Sequence, residues 1–311
     1  MEKILLTGAT GFLGKNLLPF LRNKNYEVVG IGSDVYDLRC QQACRKAMQH
    51  YAPDVIIHAA GSVGGIGANQ ENPGKFMYEN LAMGANMIER ARQNNVSKFI
   101  LLGTVCSYPK FTPVPFQEKD LWNGYPEETN APYGIAKKAL MTLLETYHEQ
   151  YGMNGVNLIP VNIYGPHDHF NLTSSHVIPA LILKFYNAMK AGDRTVELWG
   201  TGEASREFLF APDCCEAIEL AIQKDVGPEP MNIGTGKEIK IGNLATEIAE
   251  QMGYEGKIVY DASKPDGQRR RCLNTGRAKE ELGFTAATDL VDGLRETIRW
   301  FLLNRTLGDN I

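Results

Sequence analysis

Residues 4–14 read I-L-L-T-G-A-T-G-F-L-G, an apolar run that passes directly into a loop with three evenly spaced glycines. A helical pattern of apolar residues, Leu17, Leu18 and Leu21, follows the loop. In a strand–loop–helix unit, such glycines permit a tight turn and let the backbone approach a pyrophosphate, which sits at the helix N-terminus. The stretch therefore predicts a dinucleotide-binding site in an α/β protein.

The end of the second predicted strand bears on the choice of cofactor. Residues 27–31 form this strand, and the small residues Gly32 and Ser33 follow it. NAD enzymes commonly place an acid here to bind the ribose 2′-hydroxyl, whereas small residues leave room for the 2′-phosphate of NADP. Asp34 comes next and can take the place of that acid. We expect NADP, and NAD remains possible.

Composition argues against several classes of function. The net charge of −4 gives no electrostatic reason to expect nucleic acid or an anionic membrane as a partner. The six cysteines are scattered without a C-x-x-C pair, so we expect neither a metal site nor a disulfide framework. No apolar run approaches the roughly 20 residues of a membrane helix, and no signal-peptide pattern precedes residue 4. We expect a cytoplasmic location.

Strand-like and helical patterns alternate along the first half of the chain. Further strands are predicted near residues 53–61, 98–102 and 156–161. This alternation predicts a Rossmann-like, doubly wound parallel sheet over residues 1–161. Segments near 208–238 are expected to return to this sheet. Residues 162–311 are expected to form mainly a smaller α/β substrate-binding domain.

Tyr133 and Lys137 lie four residues apart in a helical pattern that runs to about residue 151. This spacing places both side chains on one helix face. A lysine ammonium beside a phenol favours the phenolate, so we expect Lys137 to lower the pKa of Tyr133 and allow proton transfer near neutral pH. The pattern alone is also typical of a solvated helix face.

Other candidates follow predicted strands or open predicted helices. Thr104 and Cys106 come just after residues 98–102, at the edge where open α/β sheets bind ligands, although a lone cysteine can equally be a small buried apolar residue. His176 opens a helix and titrates near physiological pH, but a surface histidine is the commoner explanation. Arg206 and the basic run at 269–271 could bind phosphate, or could simply be solvated charges.

Several stretches together resemble one protein family. They are V-G-G-I at 63–66, C-S-Y-P at 106–109, Y-G-I-A-K at 133–137, N-I-Y-G-P at 162–166, S-H-V-I-P-A-L at 175–181, W-G at 199–200, R-E-F at 206–208 and K-P-D-G at 264–267. These stretches are similar to the extended short-chain dehydrogenases/reductases that act on nucleotide sugars, and within them to the GDP-L-fucose synthase branch. The resemblance covers nearly the whole chain.

The resemblance implies a reaction and roles for individual residues. The implied reaction is epimerisation of a GDP-4-keto-6-deoxy sugar at carbons 3 and 5, followed by hydride transfer from NADPH to carbon 4. Cys106 and His176 would be the epimerisation pair. Tyr133 would protonate the oxygen on carbon 4, and Thr104 would bond the keto oxygen. Lys137 would hold the nicotinamide ribose.

The resemblance also implies two sets of binding residues. The cofactor contacts it implies are Gly8, Thr10, Gly11, Phe12, Leu13, Gly14, Ser33, Asp37, Leu38, Ala59, Ala60, Tyr133, Lys137 and His176. The substrate contacts it implies are Asn162, Val177, Lys184, Trp199, Arg206 and Arg271.

Departures from the family pattern keep other substrates open. Ser62 stands where the family usually has lysine, Lys184 where it usually has arginine, and Thr104-Val105 where it usually has two serines. One alternative is a related enzyme that acts on another nucleotide or a deoxyheptose, or that epimerises through transient oxidation with tightly held NAD. A second is a catalytically idle nucleotide-binding scaffold.

The resemblance finally implies an assembly. Extended dehydrogenases of this kind commonly pair through two long helices, which here correspond to residues 80–94 and 133–151. We therefore expect a homodimer with a four-helix interface.

Overall fold

The computed structural model describes residues 2–172, 175–264 and 266–305. Its strands are β1 (Lys3–Thr7), β2 (Glu27–Ile31), β3 (Val55–His58), β4 (Lys98–Leu102), β5 (Gly155–Pro160), β6 (Asn162–Tyr164), β7 (Thr195–Trp199), β8 (Ser205–Phe210), β9 (Met231–Ile233), β10 (Glu238–Lys240), β11 (Lys257–Asp261) and β12 (Arg270–Arg271). Six of them form a parallel sheet in the order β2-β1-β3-β4-β5-β9. This confirms the predicted Rossmann-like parallel sheet.

Helices lie against this sheet and against the smaller sheet that the second half of the chain forms. They are α1 (Phe12–Asn23), α2 (Gln41–Tyr51), α3 (Ile66–Glu71), α4 (Pro73–Gln93), α5 (Ala131–Tyr151), α6 (Val177–Ala191), α7 (Ala211–Gln223), α8 (Ile241–Met252) and α9 (Leu290–Arg305). Helix α1 packs against α7, while α4 packs against α2 and α5. Strands β1, β3, β4 and β5 are almost wholly buried. When helices cover both faces of a parallel sheet, the side chains on both sides of each strand lie in the core.

Two predicted segments differ from the structure. The glycine-rich stretch at residues 62–69 predicts a loop, but α3 begins at Ile66, where Asn69 Nδ2 closes the turn by donating to the carbonyls of Gly64 (2.7 Å) and Gly65 (3.0 Å). The apolar pattern from Leu282 through Phe301 predicts one amphipathic helix. Gly283 has a φ of +73°, a left-handed conformation that ends the preceding turn, so α9 begins only at Leu290.

The second half of the chain builds a smaller sheet. Its strand β8 pairs with β6, β10 and β12, and β7 pairs separately with β11. Helices α6, α8 and α9 contribute to a second apolar cluster that includes Phe185, Leu244 and Phe301. Helix α7 and strand β9 instead pack with the six-stranded sheet. The domain boundary at residue 161 remains a proposal, supported by these two clusters.

Candidate active site

The backbone of the glycine loop after β1 is packed so tightly that it leaves no room for side chains. Gly8 has a φ of +73°, and a Cβ there would lie 2.7 Å from the backbone nitrogen of Ala60. A Cβ on Gly14 would lie 2.2 Å from the carbonyl oxygen of Gly8. The first turn of α1 has no side-chain cap. Its N–H groups therefore face the loop, in the arrangement that binds a pyrophosphate.

The glycine loop and the first turn of α1 together form a cradle for the pyrophosphate. A hydroxyl group that joins two neighbouring strands fixes the opposite side of this cradle. Thr7 Oγ1 accepts a hydrogen bond from the backbone N–H of Ala60 at 3.2 Å and lies 3.0 Å from Nδ1 of the buried His58. Because β1 and β3 are neighbours in the sheet, this bridge holds Ala59 and Ala60 against Gly8. The bridge places the predicted cofactor contacts from two strands at one edge.

The residues at the end of β2 include those predicted to contact the cofactor's second ribose. Ser33 is exposed, and a Cβ on Gly32 would lie 2.5 Å from Asp34 Oδ1 and 2.7 Å from the side chain of Thr10. Asp37 accepts a 2.8 Å hydrogen bond from Arg39 Nε, which lowers the pKa of this carboxyl. Arg39 Nη1 also donates to Glu79 at 2.6 Å, and sequence reasoning did not anticipate this ion pair beside Asp37. A guanidinium six residues after Ser33 was the signal that could have indicated it.

Tyr133 and Lys137 are both buried on the first turns of α5. Lys137 Nζ donates to the carbonyl of Leu102 at 2.9 Å, at the end of β4. Burial raises the pKa of Tyr133, and the nearby Cys106 adds to this, while a hydrogen bond involving Thr104 acts in the opposite direction. The expectation that Lys137 lowers the pKa of Tyr133 does not hold in this structure. The phenol keeps its proton at neutral pH, as a proton donor must.

The buried position of Lys137 makes a pH dependence measurable. Burial lowers the pKa of Lys137 to about 8, so the ammonium that would hold a ribose is lost as the pH rises through this value. We expect kcat/KM for NADPH to be level below about pH 8 and to fall about tenfold for each further pH unit. Initial rates in buffers of constant ionic strength check this. A profile that stays level up to about pH 10, near the ordinary lysine value, would contradict it.

Cys106 lies directly against the helix that carries Tyr133. Thr104 Oγ1 accepts a 3.2 Å hydrogen bond from the backbone N–H of Cys106 and caps the short turn Val105–Ser107. A Cβ on Gly134 would lie only 2.3 Å from the carbonyl oxygen of Cys106, so glycine at that position allows the contact. Cys106 is half-buried. The structure thus brings Thr104, Cys106 and Tyr133 together, as the sequence predicts.

Two arginines from neighbouring strands complete this cluster. Arg206 in β8 pairs in register with Arg271 in β12. Arg271 Nη1 donates to Cys106 Sγ at 3.6 Å. Burial, together with the charge of Arg271, lowers the pKa of Arg206 to about 10. Two adjacent, poorly hydrated cations favour a bound dianion such as a diphosphate.

Comparisons with known proteins agree with this arrangement. Residues 4–234 match the model of the NAD dependent epimerase/dehydratase family. The chain belongs to this family.

Relatives of this epimerase/dehydratase-family protein share nearly its full length. It is 39% identical over 302 residues to GDP-L-colitose synthase of Yersinia pseudotuberculosis, covering 96% of this chain and 98% of that one. It is 38% identical over 314 residues to GDP-L-fucose synthase of Escherichia coli K12, covering 98% of each. A solved GDP-mannoheptose C4 reductase of Campylobacter jejuni with NADP bound superposes with a TM-score of 0.88 at 28% identity, covering 97% and 98% of the two chains.

In this family member, other predicted site residues lie at the start of α6, within α6 and at the end of β7. His176 and Val177 are exposed at the start of α6, and the surrounding protein atoms with the nearby His169 lower the pKa of His176. Lys184 Nζ donates to the carbonyl of Glu197 at 2.9 Å. Trp199 is 67% exposed. Among the described residues, no hydrogen bond or salt bridge joins these four predicted side chains to Cys106 or Tyr133.

A buried carboxylate that sequence reasoning missed, that of Glu207, lies beside Arg206 in β8. Glu207 accepts hydrogen bonds from the backbone N–H groups of Thr235 (2.5 Å), Gly236 (2.8 Å) and Leu273 (2.6 Å). Its own carbonyl accepts a 2.8 Å hydrogen bond from Asn162 Nδ2. Glu207 therefore fixes the strand ends next to Arg206. Its partners lie far away in sequence, so no local pattern could indicate this role.

The described residues give two further results. No helix among them is both long and apolar enough to cross a bilayer. Within the same residues, no group of three His, Cys, Asp or Glu side chains is placed to hold a metal ion.

Proposed function

We propose that the protein is an NADP-dependent epimerase/reductase. It converts GDP-4-keto-6-deoxy-mannose to GDP-L-fucose by epimerisation at carbons 3 and 5 and hydride transfer to carbon 4. The observation that carries the proposal is the convergence of a protonated phenol, a thiol and an arginine pair at the sheet edge that holds the dinucleotide cradle. The names of the relatives, GDP-L-fucose synthase and GDP-L-colitose synthase, support a GDP-linked sugar.

The epimerisation half-reaction needs a base and an acid on opposite faces of the sugar. The keto group at carbon 4 acidifies the protons on carbons 3 and 5. Cys106 and His176 remove a proton from one face and return one to the other, since a thiol and an imidazole can each act as a general acid or base. Hydrogen bonds from Tyr133 and Thr104 to the keto oxygen stabilise the enolate.

The reduction half-reaction uses the same oxygen. The bound nicotinamide supplies the hydride for carbon 4. Tyr133 donates its proton to the oxygen as the alcohol forms, and Lys137 holds the ribose in place beside it. The residues of this chain fit NADP because the cradle of Gly8 and Gly14 excludes side chains and small residues end β2.

Incubation with GDP-4-keto-6-deoxy-mannose and NADPH in deuterated water tests the proposal. Proton NMR should show a GDP-fucose product with deuterium at carbons 3 and 5. An absence of both exchange and NADPH oxidation would refute the proposed substrate.

A second candidate is the same chemistry on another GDP-linked keto sugar, such as a deoxyheptose. Two observations favour it: Ser62 brings no charge to the loop, and the Lys184 ammonium is engaged by the carbonyl of Glu197. The GDP-mannoheptose reductase among the structural relatives is consistent with it. Faster NADPH oxidation with a GDP-keto-heptose than with the deoxyhexose would establish this candidate instead.

We also propose a cytoplasmic homodimer. Helices α4 and α5 pack side by side and expose large apolar side chains, with Met77 38%, Tyr78 66% and Tyr151 48% exposed. Pairing of two copies through these helices would cover that surface. A monomeric mass in light scattering at micromolar concentration would count against it. The cytoplasmic location is supported by six cysteines that form no disulfide.

A further inference from the structure

One amide side chain connects two segments of the candidate site that are far apart in sequence. Gln268 lies just before β12, and its Nε2 donates to the backbone carbonyl of Lys110 at 2.9 Å. Its Oε1 accepts from both Nε and Nη2 of Arg271, each at 3.1 Å. Gln268 therefore joins the long loop that follows Cys106 to the strand that carries Arg271.

This contact decides where the guanidinium of Arg271 points. The guanidinium is planar, so fixing Nε and Nη2 along one edge fixes the direction of the remaining Nη1. That Nη1 donates to Cys106 Sγ at 3.6 Å. Arg271 is only 8% exposed, so the surrounding atoms prevent its side chain from adopting another orientation.

Both anchors of the amide are held firmly. The backbone N–H of Lys110 donates to the carbonyl of Tyr125 at 3.0 Å, and Lys110 Nζ pairs with Glu128 at 2.7 Å. On the other side, β12 pairs with β8, and the carbonyl of Cys272 accepts a 2.8 Å hydrogen bond from the N–H of Phe116. A rigid frame of this kind is what positions a catalytic group within a fraction of an ångström.

We propose that Gln268 is a positioning residue that aims Arg271 at the sulfur of Cys106. Arg271 then stabilises negative charge on the sulfur while Cys106 exchanges a proton with the sugar, and this role rests on the proposed function. The guanidinium of Arg206 is held without Gln268, because it donates to the backbone carbonyls of Ser205 and Asp266, so phosphate binding through Arg206 should persist when Gln268 is replaced.

Gln268→Met tests this role because it keeps the length of the side chain and removes the amide. We expect the turnover for deuterium exchange into the substrate to fall about tenfold or more, as small misplacements of a catalytic group do. The KM for the nucleotide sugar and the affinity for GDP should change little. A loss of GDP affinity with unchanged exchange turnover would assign Gln268 to phosphate binding and overturn the proposal.

Alkylation of Cys106 by iodoacetamide gives a readout that needs no substrate. The thiolate is the reacting form, so a misdirected guanidinium should slow alkylation of Cys106 in Gln268→Met. Peptide mass mapping can measure the alkylation rate of Cys106 relative to that of Cys40, which is exposed and lies in another part of the fold. Gln268→Glu keeps an acceptor for Arg271 and should restore most of the rate. An equally slow rate in both variants would overturn the proposal.

Gln251→Met is the matched control. Gln251 Nε2 also bridges two segments by donating to a carbonyl, that of Val291 at 3.0 Å, but between α8 and α9. We expect it to lower Tm without changing exchange or Cys106 alkylation. If the two methionine variants behave alike in all three measurements, Gln268 is merely structural. If wild-type protein neither exchanges nor oxidises NADPH, the proposed function fails, while the alkylation rates still decide the role of Gln268.

Discussion

Tyr133→Phe is expected to lower kcat for NADPH oxidation by about 10²- to 10⁴-fold, the range that a positioned general acid contributes. The substitution removes only the hydroxyl that would protonate the oxygen on carbon 4. Because burial keeps the Tyr133 phenol protonated, the wild-type enzyme holds this proton ready across the neutral range. Stopped-flow measurement of NADPH oxidation with the keto sugar gives the effect on the hydride-transfer step.

Two comparisons make the Tyr133 result specific. Thr104 still reaches the keto oxygen in Tyr133→Phe, so deuterium exchange should fall much less than reduction. Tyr147→Phe is the matched control on the same helix, since its hydroxyl bonds to Glu89 at 3.0 Å, outside the site. A Tyr133→Phe enzyme that reduces the sugar at the wild-type rate would remove Tyr133 from the mechanism.

The fold was predictable from sequence because its signals are local. A buried parallel strand is a short apolar run, and the glycine loop has no room for a Cβ, so both leave marks within a few residues. The predicted sheet and the position of Tyr133 and Lys137 on one helix follow from such marks. The start of α3 was missed because a side chain, Asn69, closes that turn.

The site was only partly predictable because its decisive contacts join distant residues. Arg271 reaches Cys106 across 165 positions, and Gln268 reaches Lys110 across 158. No spacing rule connects such positions before the chain is folded. The pKa of Tyr133 shows the same limit: the four-residue spacing to Lys137 indicates an attractive charge, whereas the degree of burial, which only the fold determines, sets the direction of the shift.

Cys106→Ser is expected to reduce deuterium exchange at carbon 3, carbon 5 or both by about 10²- to 10⁴-fold, because serine keeps the shape of cysteine but its hydroxyl gives up a proton far less readily near neutral pH. Binding of NADPH should be unchanged, since Cys106 is not among the predicted cofactor contacts and its sulfur accepts from Arg271. Proton NMR in deuterated water resolves the two carbons and shows which of them depends on the thiol.

Cys40→Ser is the control for the Cys106 result, because Cys40 is exposed at the start of α2 and should tolerate the change without effect on exchange. A carbon that loses exchange in Cys106→Ser but keeps it in His176→Asn has the thiol as its base, and the reverse pattern assigns the imidazole. Exchange at the wild-type rate at both carbons in Cys106→Ser would contradict the thiol's role. The contact from Arg271 would then serve packing around the phosphate site instead of proton transfer.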